Sequence, residues 1–294
     1  MIITRKEELI MDLVDLHVHS NASDGSLTPR EVADEAIAMG LKAIALTDHD
    51  TVDGVTEILE YTKDKDLEVV PGIELSCYYK NREIHILGFY GDYDSPQLQK
   101  DLDELKEARE GRNKKMVELM QADGIDITME KLLHGNPDSV ITRAHFARVL
   151  VEEGVCKTKD VAFKKYIGIG CKYYLPKPQI TCEKAMGILS KYFKAIYLAH
   201  PLLYHLGYAQ IEELLIYLKE LGLTGLEAYH SSNNSYESDK LRSMALKLDL
   251  GYSGGSDFHG VIKPNIKMGI GRGGMRIPMR LLDNIKEQIK INEQ

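Results

Sequence analysis

No stretch of this 294-residue chain approaches the roughly 20 consecutive apolar residues that cross a bilayer, and its start, M-I-I-T-R-K-E-E-L, lacks the apolar core of a secretory signal. The cytoplasm is therefore the expected location, with no membrane contact. Cys77, Cys156, Cys171 and Cys182 form no C-x-x-C pair, which excludes a thiolate zinc motif and fits reduced thiols without a role. Basic charge is short too. A formal net charge of −8 argues against gripping long nucleic acid, which depends on phosphate neutralisation by Lys and Arg. A small phosphorylated anion held through metal ions stays compatible. Also missing is a Gly-rich loop after the first strand, which removes the signature of an open doubly wound sheet. The pair Gly254-Gly255 comes too late for that loop and is read as close packing at a strand end.

What is present starts at Val14 to Gly25, V-D-L-H-V-H-S-N-A-S-D-G. Val14, Leu16 and Val18 alternate with Asp15, His17 and His19, which predicts a strand with one greasy face and one bearing a carboxylate and two imidazoles. Side chains two apart on a strand sit about 7 Å apart at most, so His17 and His19 can close on one ion. An isolated H-x-H is as readily a structural pair; recurrence gives it meaning.

Thr28-Pro29-Arg30-Glu31 opens a helix with a capping box, ending at Gly40. Leu41 to Asp50 is a short apolar strand with His49 past its end, and a second helix covers Val55 to Lys65. Extended segments follow at Leu67 to Cys77, with Glu74, and at Glu83 to Tyr90, with His85. Ala195 to Ala199 is a strand closed by His200-Pro201, Gly225 to His230 another, and Gly251 to His259 the last. Alternation with helices predicts a parallel sheet covered from outside, and polar strand ends favour a closed barrel with its site on the carboxyl rim. His17, His19, Asp24, His49, Glu74, His85, His200, Asp257 and His259 are then nine candidate ligands, six of them among the chain's ten histidines. Burying so many ionisable groups together is costly without cations, and nine exceed one tetrahedral ion. Two or three divalent ions are expected, with Glu74 bridging; the oxygen and nitrogen donors suit Mn, Fe or Zn. Asp15 and Asp48 either orient ligand imidazoles or solvate strand ends, and His230 either donates a proton to the leaving group or belongs to an ordinary polar loop with Ser231, Ser232 and Asn233.

Six matches in order, H-V-H-S-N-A-S-D-G-S-L-T-P, A-L-T-D-H-D-T-V-D-G, P-G-I-E, E-I-H-I-L-G-F, A-H-P and G-S-D-F-H-G, make the chain similar to the PHP (polymerase and histidinol phosphatase) family of metal-dependent phosphoesterases. The resemblance implies an α/β fold, a distorted seven-stranded β/α (TIM-like) barrel, over 12–97 and 183–275. It also implies a trinuclear site. By that analogy His17, His19, Glu74 and Asp257 hold one ion, Glu74, His85 and His200 a second, and Asp24, His49 and His259 the third. The S-D-G-S-L-T-P form resembles the standalone branch acting on nucleotide 3′,5′-bisphosphates and 5′ ends of short RNA more than the histidinol phosphatase branch.

Residues 98–182 read as a small helical insertion and lid, and 276–294 as a C-terminal helix on the barrel. Arg109, Arg112 and Asn113 share one face of a helix over Leu98 to Ala122, either as a solvated surface or as substrate contacts. Thr142 caps a second helix whose first turn holds Arg143 and His145, where a phosphate suits both the free N–H groups and the guanidinium. Lys177, in Y-L-P-K-P-Q, is either a linker lysine or another contact. The expected reaction is hydrolysis of a nucleotide phosphomonoester by metal-bound hydroxide. The competing readings are a small-metabolite phosphatase, such as one for histidinol phosphate, and a non-catalytic metal-stabilised module.

Overall fold

The computed structural model describes residues 12–133, 140–175 and 180–293. One sheet holds seven strands in chain order: β1 (Val14–Val18), β2 (Ala43–Leu46), β3 (Glu68–Tyr79), β4 (Arg82–Gly91), β5 (Phe193–Leu198), β6 (Gly225–His230) and β7 (Gly251–Gly255). Its edges meet at the rim, where Asp257 N donates to His17 O at 2.9 Å and His19 N to Phe258 O at 3.0 Å. The result is a nearly closed barrel. The expectation of an all-parallel sheet fails at β4, which runs antiparallel to both β3 and β5. Lys80 and Asn81, with φ of 45° and 64°, turn the chain straight back, a two-residue hairpin that leaves no room for a crossover helix.

Ten α-helices complete the described chain: α1 (Pro29–Ala38), α2 (Val55–Thr62), α3 (Pro96–Ala122), α4 (Met129–Leu133), α5 (Arg143–Glu152), α6 (Lys159–Ala162), α7 (Cys182–Tyr192), α8 (Tyr208–Glu220), α9 (Ser235–Lys247) and α10 (Arg280–Asn292). The capping box read at Thr28 and Glu31 starts α1. Between strands and outer helices lies one apolar core, which includes Val18, Ile44, Leu46, Ile73 and Leu75. A second fills the barrel interior with Val14, Leu16, Ala43, Ala45, Phe89 and Tyr197, and α10 adds Leu281, Leu282 and Ile285 to it. Each such fully buried Leu, Ile or Phe is worth about 1.5–3 kcal/mol. α3 reaches two cores: Leu98, Leu102 and Leu105 join the outer one, while Met116, Val117 and Met120 join a third with Phe146 and Leu150 of α5. Among the described residues no helix is long and apolar enough to cross a membrane.

The strict alternation read for β1 does not hold. Asp15 pairs with Ile44 and Val18 with Leu46, so β1 spends three steps where β2 spends two. That extra residue is a β-bulge. It explains why Val14 and Leu16 face the barrel interior while Val18 faces the helices, and why His17 and His19 point inward after two inward apolar residues. β6 carries a matching irregularity between Glu227 and Tyr229. Gly255 makes closure possible: a Cβ there would stand 2.1 Å from His17 Cβ and 2.6 Å from His17 N. Gly255→Ala is expected to lower the denaturant midpoint by the equivalent of about 1–3 kcal/mol, the usual cost of overpacking. An unchanged midpoint would show that β7 does not seat against β1 in this way.

Candidate metal centre

The nine candidate ligands arrive from well-separated parts of the chain. His17 and His19 follow the β1 bulge, His49 follows β2, Glu74 and His85 stand on the β3–β4 pair, His200 follows β5, and Asp257 and His259 follow β7. Asp24 comes from the loop after β1. Asp48 anchors that loop, accepting from Ser20 N at 2.9 Å and from the Ser20 and Ser23 hydroxyls at 2.6 Å each. Asp15 accepts from Ser256 N at 2.8 Å and Gly269 N at 2.7 Å. Among the described residues neither carboxylate is hydrogen-bonded to an imidazole, so of the two expectations the geometry favours the strand-end role over ring orientation: Asp15 sits under backbone N–H groups, and Asp48 under one N–H and two hydroxyls. Burial raises each to a pKa of about 6, against the pull of those hydrogen bonds.

All nine candidate donors converge. His17 Nε2 and His19 Nε2 lie 3.1 Å apart. Both face Asp257 Oδ1, at 3.7 and 3.5 Å, and Glu74 Oε2, at 3.5 and 3.4 Å. Glu74 Oε1 stands 3.0 Å from His85 Nδ1 and 2.9 Å from His200 Nε2, and Oε2 2.9 Å from His49 Nδ1. Asp24 Oδ1 is 3.2 Å from His259 Nε2 and 3.9 Å from His49 Nε2. Donor atoms within 4.8 Å of one another form four overlapping groups: His19, Asp24, His49 and His259; His17, His19 and Asp257; His17, Glu74 and His200; His49, Glu74 and His85.

This donor set fits divalent cations. Buried His19 Nδ1, Asp24 Oδ1 and Glu74 Oε2 have no hydrogen-bond partner among the described residues, an arrangement costly unless an ion satisfies them. Burial pushes the Glu74 carboxyl up, yet His49, His85 and His17 together hold it well below the usual range. Asp24 is likewise held low against burial by His259 and His49, and Asp257 by Lys263 and His259. Burial and the neighbouring His259 depress His19, whereas burial of His17 is outweighed by Glu227 and Glu74, which raise it.

Three contributors escaped the sequence reading. Glu227, wholly buried, accepts from His17 Nδ1 at 3.1 Å and His200 N at 2.8 Å. A carboxylate within the strand G-L-E-A-Y-H was the available signal. Lys263 Nζ donates to Asp257 Oδ2 at 2.5 Å, and the Thr142 hydroxyl to Asp24 Oδ2 at 2.9 Å. His230 is close, with Nε2 3.5 Å from Asp257 Oδ2 and Nδ1 2.7 Å from Ser232 Oγ.

A cavity of about 350 Å3 opens over the centre between His49, His85 and His259 on the barrel and Arg143 and Lys159 from the helical segment. Thr142 caps α5 as expected, but His145 Nδ1 closes the capping box by accepting from Thr142 N at 3.0 Å, and Arg143 pairs with Glu83 at 2.5 Å. The free helix end read from sequence is thus already capped, although Arg143 does line the cavity. Arg112 and Asn113 are buried rather than solvated; Arg112 Nε and Nη2 lack acceptors among the described residues, and burial together with Arg143 lowers its pKa to about 10. Lys177 and the Arg109 side chain lie outside the described residues.

Known proteins with this architecture match along most of the chain. A 5′-3′ exoribonuclease of Haemophilus influenzae is 33% identical over 83% of this chain and 89% of its own. A 3′,5′-nucleoside bisphosphate phosphatase of Chromobacterium violaceum is 34% identical over 84% and 87%. The crystal structure of a proposed metal-dependent phosphoesterase from Bifidobacterium adolescentis superposes with a TM-score of 0.82 at 28% identity, covering 94% of this chain and 96% of that one. The family model of the PHP domain matches residues 15–220, and with these relatives it establishes that the chain belongs to the PHP domain family and has the fold of a metal-dependent phosphoesterase.

Proposed function

We propose that this chain hydrolyses a phosphoester of a nucleotide, either a 3′,5′-bisphosphate nucleotide or the 5′ end of a short RNA, using two or three divalent ions. The observation that carries the reading is the convergence of six imidazoles and three carboxylates beneath a cavity walled by Arg143 and Lys159. Among the ion sets that the family resemblance implies, Asp24, His49 and His259 fall within one donor group, as do His17, His19 and Asp257. In the remaining set, His85 and His200 share Glu74 Oε1. Without thiolates, the donors suit Mn, Fe or Zn. Bound divalent ions neutralise phosphoryl charge and make water ionise near neutral pH.

The protein's own groups bind and position. Arg112 and Arg143 place two guanidiniums beside one carboxylate, Glu83, leaving positive charge for a substrate phosphate. Lys159 and Lys263 extend that charge around the cavity. The segment 98–182 serves as a lid, tied down where Thr142 meets Asp24. His230, beside Asp257, is placed to hold the proton for the leaving oxygen. Glu227 fixes His17 with Nδ1 engaged and Nε2 turned to the centre.

A phosphate-release screen over nucleotide bisphosphates, short 5′-phosphorylated RNA and sugar phosphates, with Mn2+ or with chelator, tests the reading. Nucleotide substrates are expected to turn over at least about tenfold faster than sugar phosphates, equivalent to ~1.4 kcal/mol of discrimination, and chelator to abolish both. Equal turnover of all classes would move the assignment to a small-metabolite phosphatase, and none with any metal to a structural module. Glu227→Gln is expected to weaken metal binding by about 10–100-fold, read by chelator competition, with far-UV circular dichroism unchanged. Unaltered metal affinity would remove Glu227 from this role.

A further inference from the structure

A second cavity, of about 490 Å3, shares no lining residue with the one over the metal centre and touches the centre through His230. Its walls are the end of β6, the start of α9 and a loop presenting Arg272 and Arg276. Both arginines are exposed, and neither has a carboxylate partner among the described residues. The one acid in the lining, Asp239, already faces Arg242 at 3.4 Å.

This wall is built rather than loose. Lys267 and Gly271 exchange backbone hydrogen bonds of 2.8 Å, and Gly271 and Gly273, with φ of 56° and 114°, turn the chain on either side of Arg272. A Cβ on Gly271 would stand 2.9 Å from Ser231 Cβ, so the loop is seated against the end of β6. Buried His230 supplies the link inward: its Nε2 has no hydrogen-bond partner among the described residues and lies 3.5 Å from Asp257 Oδ2. The guanidiniums of Arg272 and Arg276, without a carboxylate partner among the described residues, share this lining with Ser231 and Ser235, and a guanidinium fork matches two phosphate oxygens.

Two cationic surfaces thus flank the centre, one at Arg143, Lys159 and Lys263 and one at Arg272 and Arg276, the second separated from Asp257 by the His230 ring. A mononucleotide bisphosphate carries one phosphate besides the scissile one and occupies a single surface. A nucleotide strand carries phosphates on both sides of the bond that is cut. Resting on the hydrolase reading above, we infer that the Arg272–Arg276 cavity binds a backbone phosphodiester of a nucleotide strand beyond the scissile bond.

The test compares holoenzyme and the double variant R272Q/R276Q on a 5′-phosphorylated RNA trinucleotide and on a 3′,5′-bisphosphate mononucleotide. KM for the trinucleotide is expected to rise about tenfold or more with kcat retained, while the mononucleotide stays within about twofold. The slope of log affinity against log salt for the trinucleotide should fall by ~0.7, the increment for one single-strand phosphate no longer neutralised. Equal changes for both substrates, or none, would overturn the inference. Should neither substrate be cleaved, the hydrolase reading fails separately, and anisotropy of a labelled trinucleotide still reads the cavity: weaker binding by the variant supports it, identical binding refutes it.

Discussion

Glu74 is wholly buried and stands within 3.5 Å of five imidazoles, those of His17, His19, His49, His85 and His200. β1 supplies two of these imidazoles, β2, β4 and β5 supply one each at or just past the strand, and β3 carries Glu74 itself. The burial of this carboxylate is offset by the surrounding imidazoles, and divalent cations held by the same donors would offset the negative charge that remains. Sheet closure at β1 and β7 serves the same end, since it sets His17 and His19 opposite Asp257.

Much of this was legible in the sequence because donors at the ends of apolar strands repeat a simple signature. His17 with His19, His49, Glu74, His85, His200 and Asp257 with His259 each follow or interrupt a run of Val, Ile, Leu or Ala. Less visible was anything that depends on pairing. The β1 bulge is invisible to a period-two reading because the extra residue exists only relative to β2. The antiparallel run of β4 hinged on the two residues Lys80 and Asn81, which carry no Gly to mark a hairpin. Asp48 looked like a companion of His49, yet adjacent residues on an extended chain point apart, and it turned to Ser20 and Ser23 instead.

Long-range partners were the hardest to foresee. Arg143 meets Glu83 across sixty positions and Glu227 meets His17 across 210, and neither pairing has a local pattern. The capping box at Thr142 was half readable: the cap itself follows from Thr before a helical run, but the ring of His145 in place of the usual Glu is a substitution that only geometry reveals. Thr142 at once caps α5 and touches Asp24, so one hydroxyl joins the helical segment to the metal rim.

α3 is one unbroken 27-residue helix whose two halves feed different cores. Such a beam leaves little freedom for the helical segment to swing as a separate body, because bending it pulls Leu98, Leu102 and Leu105 from the packing around the barrel. Local unfolding of the helical segment therefore disturbs the packing around the barrel as well, because one element carries both.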